Sequence, residues 1–177
     1  ILIMATNLEF IKSATGTSVS SLSVTDCFSD KYDVYAIILG KSDMAADAGF
    51  FRYRLIDSGG SVISGAEYDN AGLRIIAANP FIENRNPGET YMSGISSSTG
   101  KETAEGGTAI TYMYQPFNSS RYTFAHTQSV NANSSSQLQS FKMVSVHKVQ
   151  EQITGLHILS HPSRTFENVE LSVYGVK

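Results

Sequence analysis

The segment Phe50 to Asp57, FFRYRLID, limits what this chain can become. Phe51, Tyr53 and Leu55 alternate with Arg52 and Arg54, so one face is apolar and the other cationic. That period of two belongs to a half-buried β-strand. The same period recurs along the sequence, broken by clusters of Gly, Ser, Asn and Asp. Helical periodicity does not compete with it: the best stretch, Met44 to Phe50, is too short and contains Gly49.

Strands are predicted over Asn7 to Lys12, Ser18 to Thr25, Tyr32 to Leu39, Phe50 to Asp57, Ala71 to Ala77 and Thr90 to Ile95. Others follow over Thr108 to Gln115, Arg121 to Gln128, Gln139 to Val149, Ile153 to Leu159 and Val169 to Val176. Asp57-Ser58-Gly59-Gly60 reads as a turn, with Ser61 to Ser64 returning as the second arm of a hairpin. Loops are predicted over 79 to 92, Ser96 to Gly107 and Asn131 to Ser136. Tyr32 to Leu39 is apolar on both faces: Tyr32, Val34, Ala36 and Ile38 on one, Tyr35, Ile37 and Leu39 on the other. Such a strand lies inside a sandwich or against a partner. About ten short strands and no domain boundary predict one all-β domain over 1–177, an antiparallel β-sandwich of jelly-roll type. A short N-terminal arm, about 1–10, precedes the first strong strand. Met4-Ala5-Thr6 reads as a natural start, with Ile1 to Ile3 upstream of it.

Composition narrows the function. Only 16% of residues are charged, with 25 Ser, 13 Thr, 9 Tyr and 9 Phe; an ordinary domain carries about 25% charged residues. Net charge is -3 with no basic run, which offers no footing for a nucleic-acid backbone. No apolar run approaches the roughly 20 residues of a membrane-spanning helix. The lone cysteine, Cys27, cannot form an internal disulfide, and the chain lacks the cysteines of a typical zinc cage.

Each motif that might carry chemistry has a plainer account. Cys27 sits among Asp26 and Asp30, whose charges oppose a thiolate, so it reads as a small buried residue at a turn. His157 and His161 lie about 13 Å apart on a strand, too far for one ion. His126 and His147 read as sheet-face residues rather than ligands. Asp26, Asp30, Asp33, Asp43 and Asp47 lack the pattern of a calcium loop and read as turn formers. Glu67, Asp69, Glu83 and Glu89 are candidate carboxylates for glycoside hydrolysis, but nothing in the sequence pairs them. No catalytic, cofactor or metal residue is expected. Tyr91, Tyr112 and Tyr114, with Tyr122 and the Asn-rich loops, are candidate contacts to a glycan or a partner; their plainer reading is sandwich packing with hydroxyls at the rim.

Three stretches form a pattern: IKSATGTSVSSLSVTDCFSDKYDVYAIILG, FRYRLIDSGGSVISGAEYDNAGL and the closing LSVYGVK. With YTFA at Tyr122 to Ala125 and Lys142 to Lys148, they resemble a group of structural proteins of tailed bacteriophages of aquatic bacteria. The resemblance covers nearly the whole chain. Its motifs are strand and turn signatures, specific to a fold lineage and not to an activity. It implies a non-enzymatic virion protein: a capsid decoration or cement protein on the capsid surface, a homotrimer bound to the major capsid protein or other virion proteins. The alternative is a tail- or fibre-associated adhesin that binds host glycan, with contacts from loops 79 to 92 and 115 to 135. An enzyme ranks below both.

Overall fold

The computed structural model describes residues 7–102, 104–161 and 163–177, and side chains outside 95–98. These residues form twelve strands: β1 Leu8–Val19, β2 Ser21–Val24, β3 Val34–Met44, β4 Gly49–Asp57, β5 Tyr68–Ile76 and β6 Asn79–Glu89 come first. β7 Met92–Thr99, β8 Thr108–Tyr114, β9 Thr123–Ala132, β10 Leu138–His147, β11 Ile153–Ser160 and β12 Phe166–Val176 complete the set. All pairings are antiparallel, in an eight-stranded sheet ordered β1-β12-β3-β8-β9-β10-β5-β6 and a four-stranded sheet ordered β2-β11-β4-β7.

The pairing is nested. β1 pairs with β12, β2 with β11, β3 with β8 and β4 with β7, and successive pairs fall in alternate sheets. This is one long ribbon rolled up, the eight-stranded jelly roll. Two inserted hairpins, β5–β6 and β9–β10, continue the first sheet beyond β8. The predicted β-sandwich of jelly-roll type is therefore present, with twelve strands where about ten are predicted.

The core lies between the sheets. Tyr35, Ile37 and Leu39 of β3 and Phe51, Tyr53 and Leu55 of β4 are fully buried, so the inward row predicted for β4 is the observed one. Two polar clusters cross the core: Thr111 Oγ1 donates to the Tyr53 hydroxyl (3.2 Å) and lies 2.8 Å from Thr127 Oγ1. Asn70 Oδ1 accepts from Ser145 Oγ (2.6 Å) and Ser93 N (2.8 Å), tying β5 and β10 to β7.

Several boundaries differ from expectation for physical reasons. Residues 7 to 25 make one long strand and one short one, with the corner at Ser18 to Ser20, where Ser18 has φ 56°. Leu8 to Phe10 therefore pair with β12 instead of forming an arm; the rest of the predicted arm, 1–6, and Met4-Ala5-Thr6 lie outside the described residues. Tyr32 precedes β3 and packs inward under Gly175, so it does not share the outward row of Val34, Ala36 and Ile38. The return arm Ser61 to Ser64 shrinks to a single bridge, Ile56 to Val62, beyond a turn in which Asp57 Oδ1 accepts from Gly59 N and Ser61 N. The predicted loop 79 to 92 is mostly strand β6, which tolerates Pro80 and Pro87 because it is the sheet edge. β7 likewise runs to Thr99 into the predicted loop at 96–107, and β9 reaches Ala132.

Cys27 is buried where β2 ends. Its thiol donates to Val24 O (3.3 Å), and its backbone N donates to Thr154 O (2.9 Å). Burial pushes the thiol up to about 12. A maleimide at neutral pH is expected to leave Cys27 unmodified in the native protein and to label one thiol per chain in denaturant, since the thiolate is the reactive species. Fast native labelling would contradict this placement.

Candidate interaction surface

The jelly roll buries one face of the eight-stranded sheet and leaves the other outside. Strand register decides which side chains meet there. One row crosses the sheet as Phe10, Tyr174, Ala36, Tyr112, His126, Val144 and Ala71. A second runs Val176, Val34, Tyr114, Phe124 and Val146. Between them and the far edge lie Ile38, Ile110, Gln128, Lys142 and Leu73. The face is largely apolar and aromatic, and Lys142 is the cation near its centre. The Glu83–Arg85 pair sits at the β6 edge.

Apart from the buried Ala36, these side chains are exposed or half-buried. Phe124 is 51% exposed, Val144 55%, and Tyr112 and Tyr114 each 38%. Phe10 meets Tyr174 edge-on at 5.6 Å. The furrows between neighbouring strands follow the same face. One of them holds about 510 Å³ and is lined by Ile110, Tyr112, His126, Gln128 and Val130 among others. Seven strands spaced about 4.8 Å apart, with outward residues about 6.7 Å apart along each, give a projected area on the order of 600 Å². That is close to the roughly 800 Å² each partner contributes to a standard protein interface, and it reaches the upper end for an exposed apolar patch on a monomer.

The predicted contact residues separate. Tyr112 and Tyr114 lie on this face, next but one along β8. Tyr91 does not: it follows β6, its ring lies under the Arg52 guanidinium at 3.8 Å, and its carbonyl accepts from Asn70 Nδ2. Burial raises the Tyr91 hydroxyl above its ordinary value; the Arg52 charge opposes that shift and Glu89 adds to it. Tyr122 borders a separate furrow with Tyr114, Arg121 and Phe124. Phe124, His126 and Val144 belong to the surface although nothing in the sequence singles them out as contacts. The available signal was alternation on strands whose other row was already apolar or small.

The histidines scatter, with one exception. His157 Nδ1 is 2.8 Å from Ser23 Oγ, His161 meets the Phe50 ring edge-on, and His126 lies on the outer face. His147, at the end of β10, is fully buried with Nε2 3.2 Å from Glu67 Oε2 and 3.5 Å from Glu151 Oε1. Among the described residues this is the one group of three or more metal-type ligands that converges. Burial raises the Glu151 carboxyl above its ordinary range; His147 opposes that shift, and the charges of Glu67 and Asp57 add to it. Of the other candidate carboxylates, Asp69 pairs with Lys148 at 2.8 Å and Glu83 with Arg85. Asp43 pairs with Lys41 at 3.1 Å, and Asp47 Oδ1 accepts from Lys101 N.

No family model matches the chain, and neither a curated protein nor a solved structure is significantly similar to it. The class of the molecule rests on its own topology: a jelly roll widened by two hairpins into a broad apolar sheet face.

Proposed function

We propose that the chain is a non-enzymatic structural protein of a virion, a capsid decoration or cement protein that works as a homotrimer on the capsid surface. The observation that carries the assembly reading is the outer face of the eight-stranded sheet, which leaves Phe124, Val144, Ile110 and Tyr112 in water in the isolated chain. A patch of that size and composition gains free energy when it meets a second copy. The virion assignment rests on the resemblance of the TDCF, YDVY, LIDSGGSVI and VYGVK segments to phage structural proteins. Repeated over many copies, modest contacts to the shell add up to substantial stabilisation.

Copy number per purified particle tests this reading. Hundreds of copies are expected for a cement protein. A few to a few tens would move the protein to the tail, and absence from the particle would overturn the virion assignment. The adhesin reading has one observation in its favour: the furrow beside Tyr112, His126 and Gln128 combines an aromatic ring with amide and imidazole groups. Glycan binding lost on Tyr112→Ala would favour it.

A further inference from the structure

We propose that Glu67, His147 and Glu151 form a site for one first-row divalent cation of the Zn²⁺ type, a clamp that joins both inserted hairpins to the jelly roll. The proposal is independent of the virion reading. Glu67 directly precedes β5, His147 ends β10, and Glu151 lies in the connection to β11. Tyr68 and His147 are register partners, and Lys148 N donates to Glu67 O (2.8 Å), so the backbone ladder continues to the site.

The geometry suits a metal. Ligands about 2.0–2.1 Å from a tetrahedral ion stand roughly 3.4 Å from one another. Nε2 of His147 is 3.2 and 3.5 Å from the two carboxylate oxygens, and all three ligand atoms lie within 4.8 Å of one another. Both glutamates are partly exposed, which leaves the fourth position open to water.

The electrostatics also call for a cation. Two carboxylates share one imidazole nitrogen, which carries at most one proton. Among the described residues no lysine or arginine bridges either carboxylate, and the adjacent Lys148 is engaged by Asp69. The His147 ring is wholly buried and its Nδ1 has no hydrogen-bond partner, so all its polar anchorage runs through Nε2 toward the two glutamates. Gly65 makes room for the arrangement: a Cβ there would fall 2.8 Å from Glu67 Oε1. A divalent ion neutralises the two carboxylates, and the single imidazole selects Zn²⁺ and its neighbours over the all-oxygen preference of Mg²⁺ and Ca²⁺.

The test uses the full chain, stripped with a chelator and titrated with Zn²⁺ by calorimetry, with Co²⁺ absorption as a spectroscopic report of the ligand set. One equivalent is expected, with a rise in melting midpoint at saturation. Glu67→Gln and Glu151→Gln, both at partly exposed positions, are expected to keep the native circular dichroism. Each should weaken binding by at least about tenfold, since even outer-shell losses reach that size. No Zn²⁺ binding, or binding that neither substitution weakens, overturns the site. Equal competition by Mg²⁺ or Ca²⁺ overturns the choice of ion.

Discussion

Replacing both Phe124 and Val144 with lysine is expected to turn an assembled protein into a folded monomer. Both side chains are more than half exposed in the single chain, on the neighbouring strands β9 and β10. Folding therefore buries little of either, and surface substitutions of this kind usually change stability by within about 0.5 kcal/mol. In an oligomer closed over this face, each lysine would lie in an apolar contact without a counter-charge. Desolvating even one such charge costs several kcal/mol, which weakens association by at least about a hundredfold. Light scattering behind gel filtration, at micromolar concentration, reads the result. The unaltered chain should run as a trimer and the double variant as a monomer with an unchanged melting midpoint. Ser58→Lys, at the exposed turn after β4, serves as the control and should leave the trimer intact. A monomeric parent chain, or a trimeric double variant, would remove the outer face from the assembly reading.

Phe51→Ala should give the largest loss of stability by a single substitution at a fully buried position of β4. The ring meets Tyr53 edge-on at 5.3 Å and closes over Gly94, where a Cβ would fall 2.3 Å from the ring. β4 and β7 thus interlock at this point, and no side chain on Gly94 can swing in to fill the space. Truncating a buried phenylalanine costs about 3–5 kcal/mol. For a chain of this size that lowers the melting midpoint by about 6–20 °C, at 2–4 °C per kcal/mol. Gly94→Ala attacks the same contact from the other side and should also destabilise, because the added methyl has no room until the Phe51 ring shifts. A cost below about 1 kcal/mol for Phe51→Ala in urea unfolding would mean that the two sheets do not pack as described.

Much of this architecture is legible in the linear pattern. Alternation marks β3, β4, β8, β9, β10 and β12 because each carries one row that must leave water, and in β4 the two arginines also identify which row that is. Asp57 with Gly59 and Gly60 marks its turn because side-chain and backbone geometry there are local. The limits are equally physical. β6 is invisible: its prolines and polar residues are acceptable only at a sheet edge, and being an edge is a property of the finished sheet. β8 is ambiguous for the opposite reason. Its outward Ile110, Tyr112 and Tyr114 look more like core than the inward Ala109, Thr111 and Met113, and only pairing with β3 and β9 assigns the faces.

The candidate sites follow the same division. Tyr91, Tyr112 and Tyr114 stand alike in the sequence, and only the fold places Tyr112 and Tyr114 on the outer face and Tyr91 beside Arg52. Glu67 and His147 are 80 residues apart in the chain, and each alone has an ordinary explanation. By itself, the sequence determined the all-β class, most of the strands and the tight turn at Asp57, since these arise from the chemistry of neighbouring residues. The tertiary structure decided the register, the sheet edge, the face left in water and the meeting of His147 with two glutamates, since each depends on which distant backbone supplies the next hydrogen bond.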